Sequence, residues 1–310
     1  MMSDLDIRFT HNYDEAVRLA SAGYEPIECA FGQFGSVMGP LNMDHHGKES
    51  HREGVAIRAC RDHYGHHKGT PKFVVTGAPD ADAVIAIIAL AALVPKVNLP
   101  SELYELVNAF DVDPIGIDLF SQPFGTELAW FNHIQGLEQS AKGFRDGIEA
   151  MVRVLTGGLT DKERNKTIRS DRARRERAEE GVRALLDRSG QYLSRPTPPF
   201  GPVRRGVDAL RDEARVVVTQ SPVWGFDVWY RMAPIVVSYA ERLKKITVGV
   251  VDTSTAIQLF GSKGLMEVWN DLGKGWGGRE SIGGSPRGEA LTFDDVERVT
   301  AVILDHLDRA

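Results

Sequence analysis

The stretch KFVVTGAPDADAVIAIIALAALVP (72–95) constrains the fold more than any other part of the chain. Lys72 to Thr76 is a β-branched run suited to a buried strand. Gly77 to Asp80 provide turn residues, and Ala81 to Leu93 form a largely apolar helix that Pro95 stops. A strand, a short polar turn and a buried helix make one βα unit, and such units assemble into a parallel α/β sheet. The apolar run 83–95 is shorter than the roughly 20 residues a bilayer-spanning helix needs, so it reads as a core helix and no membrane partner is expected.

The same alternation continues on both sides. YEPIECAFGQFG (24–35) reads as a strand followed by a turn. Residues 161–190 mix both charge signs at helical spacing, which predicts a long solvated helix ended by Gly190. Acids interleaved with its arginines favour a connector over an RNA-contacting arm. SRPTPPFGP (194–202) is proline-rich and marks a boundary. Three short β-branched runs follow, RVVVTQS, PIVVSYA and ITVGVVD, then the glycine-rich GKGWGGRESIGGSPRG (273–288). Thr292 is placed to cap a final helix whose first turn carries acids. The expected architecture is α/β throughout. A parallel-sheet domain spans 1–155, a helical connector and proline-rich linker span 156–205, and a smaller α/β domain spans 206–310.

Charge and cysteine content narrow the partners. A net charge of −6 argues against binding long nucleic acid, which requires a basic surface, but leaves room for a small phosphorylated ligand held by a local basic patch. Cys29 and Cys60 match neither a metal-binding spacing nor a disulfide framework, and the first residues carry no apolar signal core. Both point to a reducing cytoplasm. Whether the chain is a homodimer is left open.

Chemistry concentrates in three places. In PLNMDHHGKES (40–50), Asp44, His45 and His46 stand side by side before Gly47. Neighbours on an extended chain point to opposite faces, so the three cannot share one job by default. Six of the nine histidines lie between His45 and His67. His51, His63, His66 and His67 read as a solvated helix and loop, because no Cys or Glu completes a recognisable zinc spacing. In TGAPDADA, Asp80 and Asp82 occupy the turn between strand and helix, where parallel sheets bind ligands. One aspartate suffices as a helix cap, and two crowded carboxylates repel unless a cation lies between them. Asp111 and Asp113 in LVNAFDVDPIG repeat the spacing, although an Asx turn explains either one. Carboxylate oxygens with one or two imidazoles suit Mn²⁺ or Mg²⁺ better than zinc.

MDHHG (43–47), PDADA (79–83) and WGGRESIGGSPRG (276–288) together resemble the DHH phosphoesterase superfamily, which includes single-strand exonucleases, oligoribonucleases, cyclic dinucleotide phosphodiesterases and inorganic pyrophosphatases. The resemblance covers these motifs and the domain plan. It implies a parallel α/β domain holding two Mn²⁺ (or Mg²⁺) ions, and a smaller domain with a glycine-rich substrate loop. By motif, His45, Asp80, Asp82 and Asp111 would bind metal. Asp44 would orient the histidine pair, and His46 would face the scissile phosphate as donor or general acid. Arg279, Ser281, Gly283, Gly284, Ser285 and Arg287 would cradle the substrate. Two features depart from the family. Its Asp-x-Asp motif usually precedes its DHH, whereas here DHH comes first. A family histidine four residues before the first aspartate is here Thr76, leaving that ligand to His66, His67 or another group.

The expected function is hydrolysis of a phosphodiester or phosphoanhydride bond in a small nucleotide or short oligonucleotide by metal-activated water. The chain has no serine or cysteine elbow motif and no Walker loop. Glycines in GGRESIGGSPRG would let backbone N–H groups approach an anion while arginine contacts phosphate. A plain loop joining a strand to the last helix is the simpler reading. Trp269 and Trp276 are candidates to stack a base, or else core packing residues. Two other functions compete: a non-catalytic nucleotide sensor that keeps one metal, and a metallohydrolase of other chemistry, such as an amide hydrolase, built on the histidine cluster.

Overall fold

The computed structural model describes residues 5–31, 34–46, 49, 51–67, 70–112, 117–134, 137–187, 202–208, 213–220, 225–240, 243–286 and 289–309. Gly47, Asp113, Gly190, Arg287 and all of the proline-rich stretch except Pro202 lie outside these residues. The chain divides into two compact units, residues 1–169 and 170–310.

The first unit begins with β1 (Asp6–Phe9), α1 (Tyr13–Ser21), β2 (Glu25–Ile27), α2 (Val55–Asp62), β3 (Lys72–Val75) and α3 (Ala81–Leu90). Then follow α4 (Ser101–Val112), α5 (Gly125–Ile134), α6 (Ala141–Gly157) and the start of α7 (Asp161–Asp187). β3 lies between β1 and β2, and both pairings are parallel, as the βα unit predicts. Successive β3 side chains face opposite ways. Phe73 and Val75 join the large core with α2, α3, α4 and α6, whereas Val74 packs with Ala16 and Leu19 of α1. Every residue of α3 is buried, which explains a helix without a polar face. Because the strands are parallel, the residues following all three, His11, Glu28 and Thr76, emerge at one edge.

The expected end of the first domain at 155 falls inside α6, and the first unit runs on to 169. Phe144, Ile148, Met151 and Val154 bury α6 in the core. The first turns of α7 then pair back, Arg153 to Glu163 at 2.8 Å and Arg164 to Glu127 at 2.7 Å. The opening of the expected connector therefore belongs to the first unit.

The second unit holds β4 (Pro202–Asp208), β5 (Glu213–Gln220), α8 (Phe226–Trp229), β6 (Ile235–Ala240), β7 (Lys245–Val250) and α9 (Thr253–Phe260). It ends with α10 (Met266–Leu272), β8 (Gly277–Gly278), β9 (Ile282–Gly284) and α11 (Phe293–Arg309). The three β-branched runs form β5, β6 and β7 of a mixed sheet ordered β4-β5-β6-β7-β9-β8. β5 and β6 are parallel and the other pairs antiparallel. Val296, Val299 and Ile303 of α11 pack on the inward side chains of these strands. Thr292 opens α11, with its N–H and hydroxyl both donating to Asp295.

One acid in the first sheet is unusually placed. Glu25 of β2 is buried, accepts the Leu41 N–H at 3.2 Å and lies against Gly39, where a Cβ would come within 2.7 Å of its Oε1. Burial pushes its carboxyl up to about 7 from an ordinary 4.5. The folded chain holds this proton more tightly than the unfolded one, so the contribution to stability is full below 4.5 and disappears as pH rises through about 7. Glu25→Gln keeps the acceptor and removes the titration. We expect its thermal midpoint to match the parent at pH 4 and to exceed it at pH 8, by an amount equivalent to roughly 1–3 kcal/mol.

Candidate metal centre

His45 is completely buried, and three carboxylates face its Nε2. Glu28 Oε1 lies at 2.8 Å, and Asp82 Oδ2 and Asp111 Oδ2 each lie at 3.4 Å. Each acid arrives from a different element. Glu28 follows β2 in a left-handed backbone conformation, φ 52°, and its N–H donates to the Met43 carbonyl at 2.8 Å. That bond ties the strand end to the segment entering Asp44-His45-His46. A non-glycine residue held at positive φ is an uncommon arrangement that its surroundings must enforce.

Asp82 sits in the first turn of α3 but serves α2. Its Oδ2 accepts the Val55 N–H and its Oδ1 the Ala56 N–H, both at 2.8 Å. These are two of the donors that a helix N-terminus leaves unpaired. Gly54 just before them is sterically required, since a Cβ there would lie 2.9 Å from both Asp82 oxygens. Its N–H donates to Asn108 Oδ1 of α4 at 2.6 Å. One turn after Asn108, the same helix delivers Asp111. β2, α2, α3 and α4 are thus joined around one imidazole.

His46 lies at the partly exposed side. Its Nδ1 is 2.9 Å from Asp44 Oδ1, and the Ser36 hydroxyl donates to the other Asp44 oxygen. Burial works to raise the Asp44 carboxyl, but hydrogen bonds from His46 and Ser36 outweigh it and hold the group below its ordinary value. Arg58 of α2 donates to the carbonyls of Asn42 at 2.6 Å and Asp44 at 2.9 Å, clamping this segment to the helix.

The acids of the cluster are electrostatically strained against one another. Burial, reinforced by the charges of Asp80, Asp82, Asp111 and Asp44, pushes the Glu28 carboxyl well above its ordinary value. Burial also raises Asp82, despite the backbone donors that favour its charged form. Carboxylates crowded in a dry site resist ionising together, and a divalent ion among them reverses that preference. Among the described residues two donor groups could hold an ion, Glu28 with His45 and His46, and His45 with Asp82 and Asp111, the atoms of each lying within 4.8 Å of one another.

The expected residues are placed as follows. His45, Asp82 and Asp111 converge. Asp80 caps α3 by accepting the Ala83 N–H at 3.0 Å, and it contributes charge to the cluster without joining either donor group. Glu28 was not foreseen, and its only signal was an acid at the carboxyl end of a strand. Thr76 has His11, two residues beyond the end of β1, beside it, Oγ1 to Nδ1 3.4 Å. His66 and His67 do not reach this place. The His67 N–H donates to the Leu90 carbonyl at the far end of α3, roughly 12 Å of helix away. His51, His63, His66 and His67 belong to neither donor group.

In the second unit, Gly283 and Gly284 are ladder residues of β9, paired with β7 and β8. Their lack of a side chain has a packing cause: a Cβ on Gly283 would lie 2.5 Å from the Trp269 ring, and one on Gly284 2.8 Å from the Ile246 carbonyl. Ser285 exchanges hydrogen bonds with Ile246, its N–H donating at 2.9 Å and its hydroxyl oxygen accepting at 3.2 Å. Arg279 and Ser281 lie in the turn between β8 and β9. Trp269 and Trp276 are buried packing residues. The chain matches no known protein-family model and no curated protein by sequence.

Two substitutions separate the roles of the acids in the ion-free protein. Asp82→Ala removes two accepted N–H bonds as well as a donor, and we expect about 2 kcal/mol of destabilisation in denaturant unfolding. Glu28→Gln relieves a buried acid and leaves the cap on α2 intact, so we expect unchanged or higher stability at pH 8, by on the order of 1 kcal/mol.

Proposed function

We propose that the chain is a divalent-metal-dependent phosphoesterase that hydrolyses a phosphodiester or phosphoanhydride bond in a small nucleotide or short oligonucleotide. The observation that carries this reading is His45 enclosed by Glu28, Asp82 and Asp111 at the carboxyl edge of a parallel sheet, with the Asp44–His46 pair beside it. The resemblance of MDHHG and PDADA to the DHH phosphoesterases points to the same chemistry.

Each group has a defined task. Glu28, His45, Asp82 and Asp111 would hold the cations, two in number by the resemblance, with Asp80 and His11 at the margin. Such ions supply Lewis-acid activation of water and neutralise charge developing at phosphorus. Asp44 accepts the Nδ1–H of His46, which fixes the tautomer and leaves Nε2 for a substrate oxygen. In its protonated form, His46 donates to the departing oxygen. Ser36 and Arg58 hold Asp44 from its other oxygen and its carbonyl, so the imidazole keeps its direction.

The direct test is metal-restored hydrolysis. After chelation and dialysis, the protein should bind Mn²⁺ and then cleave bis(p-nitrophenyl) phosphate. His45→Ala should abolish binding and turnover, and His46→Ala should lower kcat by about 100-fold or more while Mn²⁺ remains bound. Full turnover in EDTA, or Mn²⁺ binding unaffected by His45→Ala, would contradict the proposal. Because Glu28 must lose a proton held more tightly than usual, Mn²⁺ affinity should rise with pH from 6 to 8, up to about tenfold per unit for each proton released. Calorimetry in buffers of different ionisation enthalpy reads that proton count.

A further inference from the structure

Phe34 is the one aromatic among the large hydrophobic side chains left exposed in the described residues, with 63% of its surface in water. Its ring stacks on Tyr13, centroids 5.7 Å apart at an interplanar angle of 26°. Phe31 closes the group edge-on to Tyr13 at 5.8 Å. Tyr13 and Phe31 pack partly against the α1 side of the sheet, so the platform has a fixed base and one open aromatic at its rim. The two tryptophans that the sequence offers for stacking are both buried.

The position is what assigns a ligand. Tyr13 is two residues beyond His11, and Phe34 two residues before Ser36, spans of at most about 7 Å each. His11 stands beside Thr76 at the carboxyl edge, and Ser36 holds the Asp44 carboxylate of the metal centre. A bridge between Ala30 and Ser36 fixes the base of the loop that carries both phenylalanines. An aromatic platform thus stands within two residues of side chains that touch the cluster on both of its flanks.

We infer that Phe34, supported by Tyr13, is a stacking shelf for the nucleobase of the substrate. Flat π-faces stack on any base, so the shelf selects for the presence of a base and little for its identity. The inference rests on the phosphoesterase reading and adds a specificity residue to it.

The test compares AMP with ribose 5-phosphate by titration calorimetry on the full-length, Mn²⁺-loaded protein. AMP should bind at least about tenfold more tightly than ribose 5-phosphate. Phe34→Ala should remove that preference and leave ribose 5-phosphate affinity and Mn²⁺ binding unchanged, and Phe34→Trp should restore it. Equal affinity for the two ligands in the parent protein, or a preference that survives Phe34→Ala, overturns the shelf and leaves the metal reading standing. Mn²⁺ uptake with no binding of either ligand overturns both readings.

Discussion

The first unit depends on one carboxylate shared between two duties. Asp82 closes the N-terminus of α2 with both oxygens while one of them also faces His45. The helix ends explain why a buried acid is tolerable there. Both α2 and α3 begin at the cluster, and helix N-termini carry partial positive charge that favours carboxylates. That help is incomplete, because burial still raises Asp82 and Glu28 above their ordinary values. A divalent ion among these acids would relieve the remaining imbalance, and on the proposed reading its binding would be coupled to the fold of this unit.

This coupling separates side chains that look equivalent in the sequence. Asp80 and Asp82 belong to one Asp-x-Asp, yet Asp80 caps its own helix and Asp82 caps a neighbouring one. Asp44 and His46 are adjacent to His45 but form their own hydrogen-bonded pair. Adjacent positions on an extended chain face different ways, which is how a DHH triplet can divide into one imidazole inside the acid cluster and another at its partly exposed side.

Local chemistry made some of this legible before any coordinates. The strand and apolar helix in 72–95 carry their own signals, and β3 and α3 begin at Lys72 and Ala81 as read. Parallel topology accounts for Asp82, which opens the helix after β3, whereas Asp111 arrives on α4 and His45 on the segment that the Glu28–Met43 bond ties to β2. Glu28 was not legible because a lone acid after a three-residue strand has no spacing to mark it. Its importance comes from the left-handed turn and the bond to Met43, both products of tertiary contact. Gly283 and Gly284 show the converse. A glycine pair beside an arginine suggests an anion cradle, whereas the ring of Trp269 and the backbone of Ile246 supply a packing reason that no local pattern reveals. His11 escaped notice for a related reason, since its partner Thr76 is 65 residues away and adjacent only through the β1–β3 pairing.

The central claim is that these acids surround a cation. Anomalous diffraction from crystals grown with Mn²⁺ tests it most directly. The account predicts a strong manganese peak coordinated by His45 Nε2 and oxygens of Glu28, Asp82 and Asp111. Crystals with Mn²⁺ at saturating concentration and no peak at that cluster, the acids remaining hydrogen-bonded to one another, would contradict it.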